Sequence, residues 1–499
     1  MAESIQLTAP NNVTYTQPTG LFINNEFVPA QSGETLTTVN PFDESIIAAV
    51  ASAGTDDVDL AVAAAREAFQ APEWRSMGAS ERGLLLCRLA DLCERDQEIL
   101  ATIDAWDNGK PYDSALNEDV AEVISVFRYY GGWADKIQGR TIETSDAKLA
   151  YTRHEPVGVC GQIIPWNYPA MMAAWKLGPA LACGNTVVLK AAEQTPLSIL
   201  YLATLVKEAG FPKGVVNVLN GSGTVAGAAI AGHLGVDKIA FTGSTPTGKA
   251  IMKAAANNLK AITLETGGKS PLLVFEDANL DQAVKWSHVG IMSNMGQICT
   301  ATSRIYVQDS IYDTFVEKFK QYTIENSKVG SQFDPAVNHG PQVSKTQRDR
   351  ILQYVESAKS EGAELVLGGG VPQAGDKGYF IEPTIFKDTN REMKAVREEV
   401  FGPFVVIQAF NSQEDAIKKA NDTEFGLGAA VFTENITRGH KVAAAIEAGM
   451  VWINSSQDSH FAIPFGGYKQ SGIGRELGEY ALSAYTQVKA VHVNLGSWL

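Results

Sequence analysis

Positive charge is scarce in this chain and missing altogether from its first 65 residues, where the first Lys or Arg is Arg66. A secretory leader needs a basic n-region and a transit peptide needs arginines, so neither is expected. Over 499 residues, 41 Lys and Arg stand against 56 Asp and Glu, a formal net charge of -15. Such a balance repels phosphate, which argues against nucleic acid or an anionic membrane as partner. Cysteine is equally thin. The five thiols match no metal or disulfide spacing, so no metal site is expected and a reducing compartment is favoured. Cys87, Cys93, Cys160 and Cys183 fall in helical or apolar surroundings and read as inert buried thiols. No uninterrupted apolar run looks membrane-spanning, and the tail Gly496-Ser497-Trp498-Leu499 is not the peroxisomal Ser-Lys-Leu signal. Repeats and low-complexity linkers are absent. A cytoplasmic protein follows by elimination.

What is present is a well-mixed globular composition, 45% hydrophobic and 19% charged, long enough for two or three domains. Residues 1–55 are polar and turn-rich, with short strand candidates such as Leu21-Phe22-Ile23. Helical patterns follow over 56–69, 80–107 and 114–137. Residues 140–155 alternate weakly and read as an exposed strand pair. A βα rhythm then begins. Apolar strands at 157–164, 186–190, 215–219, 238–241 and 261–264 alternate with helices at 170–181, 197–209, 224–231 and 247–257. That alternation means a parallel sheet covered on both faces, with ligands at the carboxyl ends of its strands. A second βα series runs from 271–275 through 305–307, helices 311–327 and 344–361, and strand 405–410. The chain ends in an alternating strand at 488–495.

The stretch with the most chemistry is Asn294-Met295-Gly296-Gln297-Ile298-Cys299-Thr300, between a helical run (281–292) and a strand (304–307). It presents one cysteine on a loop. Glu265 stands at a strand end before Gly267-Gly268, and Asn167 lies between Pro165 and Pro169. A thiol, a carboxylate and an amide supply a nucleophile, a general base and an oxyanion donor. Taken singly, a strand-end Glu or a turn Asn is just as readily structural. Gly243-Ser244-Thr245-Pro246-Thr247-Gly248-Lys249-Ala250 nearly matches a phosphate loop, but Ala250 has no hydroxyl for Mg²⁺. Gly221-Ser222-Gly223 with Gly227 is one residue off the dinucleotide fingerprint. Two such turns in one βα unit favour a nucleotide held at helix N-termini. Lys190 ends a strand and Glu193 follows. Beside an adenosine ribose, that carboxylate accepts from both hydroxyls and repels a 2′-phosphate, which favours NAD and leaves NADP the weaker alternative.

In order along the chain stand Pro165-Trp166-Asn167-Tyr168-Pro169, Leu189-Lys190 with Glu193-Gln194-Thr195-Pro196, Phe241-Thr242-Gly243-Ser244 with Gly248, and Leu264-Glu265-Thr266-Gly267-Gly268-Lys269-Ser270-Pro271. Gly296-Gln297-Ile298-Cys299, Glu399-Val400-Phe401-Gly402-Pro403 and Pro464-Phe465-Gly466-Gly467-Tyr468-Lys469 follow. The set resembles the NAD(P)-dependent aldehyde dehydrogenase superfamily, in its class 1/2-like branch, over nearly the whole chain. The resemblance implies an α/β fold in three parts. These are a Rossmann-like cofactor domain (1–137 and 157–266), an α/β catalytic domain (267–478), and a small β oligomerisation element (138–156 and 479–499) that makes a homo-oligomer, dimer or tetramer. It implies Cys299 as nucleophile, Glu265 as general base and Asn167 as oxyanion donor. Ile163, Ile164, Pro165, Trp166, Lys190, Glu193, Gly223, Phe241, Gly243, Ser244, Gly267, Glu399 and Phe401 map to positions that hold NAD. Thr266 is a departure, since the family usually has Leu there, near the nicotinamide.

The same resemblance places Glu122, Tyr168, Met171, Met172, Trp175, Ser293, Ile298, Thr300, Gln457, Ser459 and Phe465 along an aldehyde tunnel. Several relatives carry rings where Ser293 and Ser459 stand, so a roomier tunnel is expected, favouring medium or large aldehydes. Glu122 falls where relatives often have an apolar residue. Charge recognition of an aminoaldehyde or trimethylammonium aldehyde is one alternative, a solvated helix face another, and a catalytically silent relative a third.

Overall fold

The computed structural model describes residues 4–372 and 377–496; the tail Ser497-Trp498-Leu499, read above for a targeting signal, lies outside them. Five strands, Val159–Ile163, Thr186–Lys190, Val216–Leu219, Lys238–Thr242 and Ala261–Glu265, form a parallel sheet. The first four are buried at every position, because helices cover both faces. Numbered by sequence, they lie in the order third, second, first, fourth, fifth. The direction of winding reverses between Val159–Ile163 and Lys238–Thr242, and a crevice opens beyond the carboxyl ends of those two strands. The loops leaving them carry Pro165-Trp166-Asn167 and Gly243-Ser244.

The sheet is extended to eight strands. Leu21–Ile23 and Glu26–Val28 join antiparallel at one edge. At the other, Gly472–Ile473 returns from late in the chain to pair with Leu264 and Glu265. The second βα series makes a seven-stranded sheet centred on Pro271–Val274 and Arg304–Gln308, with only Glu364–Leu367 antiparallel to its neighbour. Thr141–Ser145, Lys148–Pro156 and Thr486–Asn494 form a separate three-stranded antiparallel sheet. Thr141–Ser145 is exposed throughout.

Three details depart from the sequence reading. The helix expected over 80–107 is two, Ala79–Arg95 and Gln97–Asn108, broken at Asp96. The helix expected over 114–137 begins with a π-helical turn, Ala115–Val120, ahead of Ala121–Trp133. Strands Gly428–Phe432 and Met450–Ile453 and helices Gln413–Asn421 and Ile436–Ala445 have no counterpart in that reading. No helix among the described residues is long and apolar enough to cross a membrane.

Candidate active site

Cys299 sits where the chain turns from helix Leu280–Met292 into strand Arg304–Gln308. The approach is strained. Asn294, Met295 and Gly296 all have positive φ, of 46°, 55° and 71°. Gly296 is obligatory, since a Cβ there would lie 2.0 Å from the Gly402 carbonyl oxygen. Hydrogen bonds fix this path. Asn294 Nδ2 donates to the Asn167 and Gln297 carbonyls at 3.0 and 3.1 Å. The buried Gln297 Oε1 accepts from the Val343 N–H at 3.0 Å. Beyond the thiol, Thr300 Oγ1 donates to Gln457 Oε1 at 2.6 Å, and Gln457 Nε2 donates back to the Thr300 carbonyl at 2.9 Å. The turn carrying Cys299 is thus clamped from both sides.

Asn167 is buried, and its Nδ2 donates one hydrogen to the Gln297 carbonyl at 2.9 Å. An amide nitrogen has two, so the side chain is oriented and one donor remains to spend. Glu265 ends the strand Ala261–Glu265, and its Oε1 is buried without a partner among the described residues. Burial pushes its pKa up to about 8, reinforced by Glu476 and opposed by Lys176 and by its interaction with the Cys299 thiol. The thiol is itself pushed well up, first by burial and then by the neighbouring Glu265. Behind Glu265, the fully buried Lys176 pairs with Glu476 and donates to Thr242 Oγ1 at 2.7 Å. That pair arises from residues 300 apart in sequence.

All three groups line one cavity of about 710 Å³. All eleven expected substrate residues, Glu122, Tyr168, Met171, Met172, Trp175, Ser293, Ile298, Thr300, Gln457, Ser459 and Phe465, also line it. From the cofactor set, Pro165, Trp166, Gly243, Ser244, Gly267, Glu399 and Phe401 do so. The Trp166 and Phe401 rings meet edge to face, 5.3 Å apart. Glu399 Oε1 accepts from the Gly268 N–H at 2.9 Å, and burial raises its carboxyl to about 7. Side chains at Gly267 and Gly268 would collide with Glu399 Oε2 at 2.2 Å and with the Cys299 carbonyl at 2.5 Å.

The remaining cofactor candidates lie outside this cavity lining. Glu193 Oε2 accepts from the Gly223 N–H at 3.1 Å and lies 3.5 Å from the buried Lys190 amine. Burial lowers the Lys190 pKa, partly offset by Glu193. Ile163 ends its strand, with Ile164 next in the chain. Phe241 packs beneath Gly243, where a Cβ would be 2.6 Å from its ring. Ser244 caps the helix Thr245–Ala255. Thr266 Oγ1 donates to the Gln470 carbonyl at 2.6 Å.

Sequence reasoning missed several residues that line the cavity. Gln347 and Arg350, on helix Lys345–Ser360, line the cavity and donate to the Phe401 and Glu399 carbonyls at 2.6 and 3.1 Å. No motif marks them, because their role is set by tertiary packing. Asn117, Asp119 and Val289 also line it without a sequence signal.

Known proteins arrange themselves around the same reading. The model described as "Aldehyde dehydrogenase family" matches residues 27–491. An aldehyde dehydrogenase of Davidiella tassiana is 54% identical over 497 residues, 99% of each chain. Human aldehyde dehydrogenase 1A1 is 51% identical over 484 residues, 96% of this chain and 95% of the human one. The structure of a Bacillus cereus aldehyde dehydrogenase in complex with NAD+ superposes with a TM-score of 0.94 at 51% identity, covering 96% of this chain and 97% of that one. With the match spanning nearly the whole length, the chain belongs to the aldehyde dehydrogenase family.

Proposed function

We propose that this aldehyde dehydrogenase oxidises a medium or large aldehyde to its carboxylic acid through a thioester on Cys299, with NAD as the oxidant. The observation that carries the reading is the Cys299–Glu265 pair facing one cavity with Asn167. The donor set fits the cofactor. At the carboxyl end of strand Thr186–Lys190 an amine, a carboxylate and the Gly223 N–H converge, as ribose hydroxyls require. At the switch point, the capped N-terminus of helix Thr245–Ala255 suits a phosphate. Lys190 and Glu193 would hold the adenosine ribose, Ser244 and Gly243 the phosphates, and Glu399 and Phe401 the nicotinamide half. Bound there, NAD supplies the acceptor for a hydride.

The protein supplies the rest. Cys299 passes its proton to the ionised form of the neighbouring Glu265 and attacks the aldehyde carbon, forming the C–S bond of a hemithioacetal; Glu265 then releases that proton to solvent. Asn167 Nδ2 and the Cys299 N–H aim donors at the new oxyanion, roughly 3–4 kcal/mol for each well-placed donor. As the carbon loses hydride, the oxyanion collapses to a thioester. Glu265 then takes a proton from water. The resulting hydroxyl attacks the thioester carbon, the C–S bond breaks, and the acid leaves with the Cys299 thiolate restored. Retention of Glu265 favours water over coenzyme A as acyl acceptor. A cavity of about 710 Å³, with Ser293 and Ser459 in its wall, favours larger substrates. Thr141–Ser145 lies at the edge of the three-stranded sheet, is exposed throughout, and pairs on its outer side with no strand among the described residues, which supports a homo-oligomer, dimer or tetramer, joined there. The free thiols suit a cytoplasmic location.

Reduction of NAD by hexanal, followed through NADH absorbance in the wild type and Cys299→Ala, tests the assignment. Turnover in the wild type and none in the variant is expected. Comparable turnover in both removes Cys299 as nucleophile.

A further inference from the structure

The two oxyanion donors proposed above stand on separate loops. Asn167 lies just ahead of helix Pro169–Ala182, and the Cys299 N–H belongs to the turn that follows helix Leu280–Met292. Each loop has anchors of its own. Asn108 Nδ2 donates to the Trp166 carbonyl at 2.7 Å in the first. In the second, Gln342 Nε2 donates to the Met295 carbonyl at 3.2 Å, the Val343 N–H holds Gln297, and Gln457 holds Thr300. None of these bonds fixes one loop against the other.

Three hydrogen bonds set that register, and Asn294 makes two of them. Its Nδ2 donates across to the Asn167 carbonyl at 3.0 Å, and within its own loop to the Gln297 carbonyl at 3.1 Å. The same Gln297 carbonyl accepts from Asn167 Nδ2 at 2.9 Å. Asn294 therefore holds the Asn167 backbone directly and shares an acceptor with its side chain. Both partners of Asn294 Nδ2 are carbonyl oxygens, which only accept, so the nitrogen must face them and both its hydrogens are spent. The backbone suits the task. Asn294 is left-handed, at φ 46° and ψ 34°, a conformation that Asn adopts more readily than most residues. Its carbonyl accepts from the Gln297 N–H at 3.0 Å, which closes the turn on itself. Asn294 does not line the cavity, so it acts through Asn167 and not on substrate.

We propose that Asn294 is the positioning residue of the oxyanion site, holding the Asn167 amide in register with the Cys299 N–H. This rests on Asn167 being an oxyanion donor. Without Asn294 each loop keeps its own anchors, and their alignment is what is lost. A donor displaced by about 1 Å can cost about a hundredfold in rate.

The test separates the oxyanion step from presentation of the thiol. Single-turnover NADH formation from hexanal passes through the oxyanion. Alkylation of Cys299 by iodoacetamide does not: sulfur bonds to the methylene carbon and iodide leaves. Asn294→Gly keeps the left-handed backbone without strain, and Asn294→Asp keeps the shape of the side chain; both remove the two N–H donors. Each is expected to slow NADH formation about 10–100-fold, while Asn294→Gly leaves the alkylation rate within about twofold of wild type. Combined with Asn167→Ala, either should be no slower than Asn167→Ala alone, because the donor to be positioned is gone. NADH formation near the wild-type rate in both variants overturns the proposal. So does alkylation that falls in step with it in Asn294→Gly, or losses that multiply in the double variants. Failure of the underlying reading looks different: Asn167→Ala would itself run at the wild-type rate, and the role of Asn294 would fall with it.

Discussion

Glu265→Gln separates the chemistry proposed for Glu265 as general base from the thermodynamic cost of its burial. The substitution keeps the shape of the side chain and removes its ionisation. Burial raises the folded pKa to about 8 against an ordinary 4.5, so the unfolded chain ionises this group first. Below pH 4.5 both states hold the proton and the carboxyl costs nothing. As pH rises to 8, each unit costs the folded wild type about 1.4 kcal/mol, roughly 5 kcal/mol across the interval. Gln never ionises, so the variant should gain stability relative to wild type from pH 4.5 to 8 and level off above. Denaturant titrations of both proteins at pH 5, 7 and 9 measure this. The kinetic counterpart is a wild-type rate that rises through about pH 8 as the base is freed. In the variant that limb should vanish and turnover fall by about 10²–10⁴. A stability difference that does not change with pH would refute the reasoning about Glu265.

Four further outcomes follow. Asn167→Ala removes an oriented donor and should lower kcat about 10²–10³-fold with the fold intact by circular dichroism; an unchanged kcat would dismiss the oxyanion role. The kcat/KM for NAD should exceed that for NADP, and Glu193→Gln should narrow the gap; equal values in the wild type would contradict the ribose assignment. Gly296→Ala places a Cβ 2.0 Å from the Gly402 carbonyl at φ +71°, and should cost at least about 2 kcal/mol in denaturant titration. Light scattering should give a mass well above the 53.6 kDa of one chain; a monomer would leave the exposed strand Thr141–Ser145 without its proposed partner.

The parallel sheet was legible because its strands are short apolar runs, buried on both faces and punctuated by Gly and Pro. The stretches after Val159–Ile163, Thr186–Lys190 and Lys238–Thr242 could be read as ligand loops for the same reason. The elements between 411 and 453 were not legible. Gly428–Phe432 and Met450–Ile453 are short apolar runs, Gly-Ala-Ala-Val-Phe and Met-Val-Trp-Ile, which show no alternation and cannot be told by periodicity from a buried stretch of helix. The π-helical turn at Ala115–Val120 and the break at Asp96 arise from packing within patterns that read as continuous helix. In the site, residues inside motifs could be named one by one. Groups whose role depends on a distant partner could not: Lys176 with Glu476, or Gln347 with the Phe401 carbonyl. Nor could the pKa of Glu265, since a strand-end carboxylate looks the same in sequence whether solvated or buried.

The central claim is a covalent acyl group on Cys299, and Glu265→Gln is the variant in which it should persist. Mixing that protein with NAD and hexanal, quenching, and weighing the Cys299 peptide by mass spectrometry asks the question directly. The account predicts an acyl mass on Cys299 in proportion to the NADH formed, and none in Glu265→Gln/Cys299→Ala. NADH produced without an adduct on Cys299, or an adduct on another residue, would contradict it.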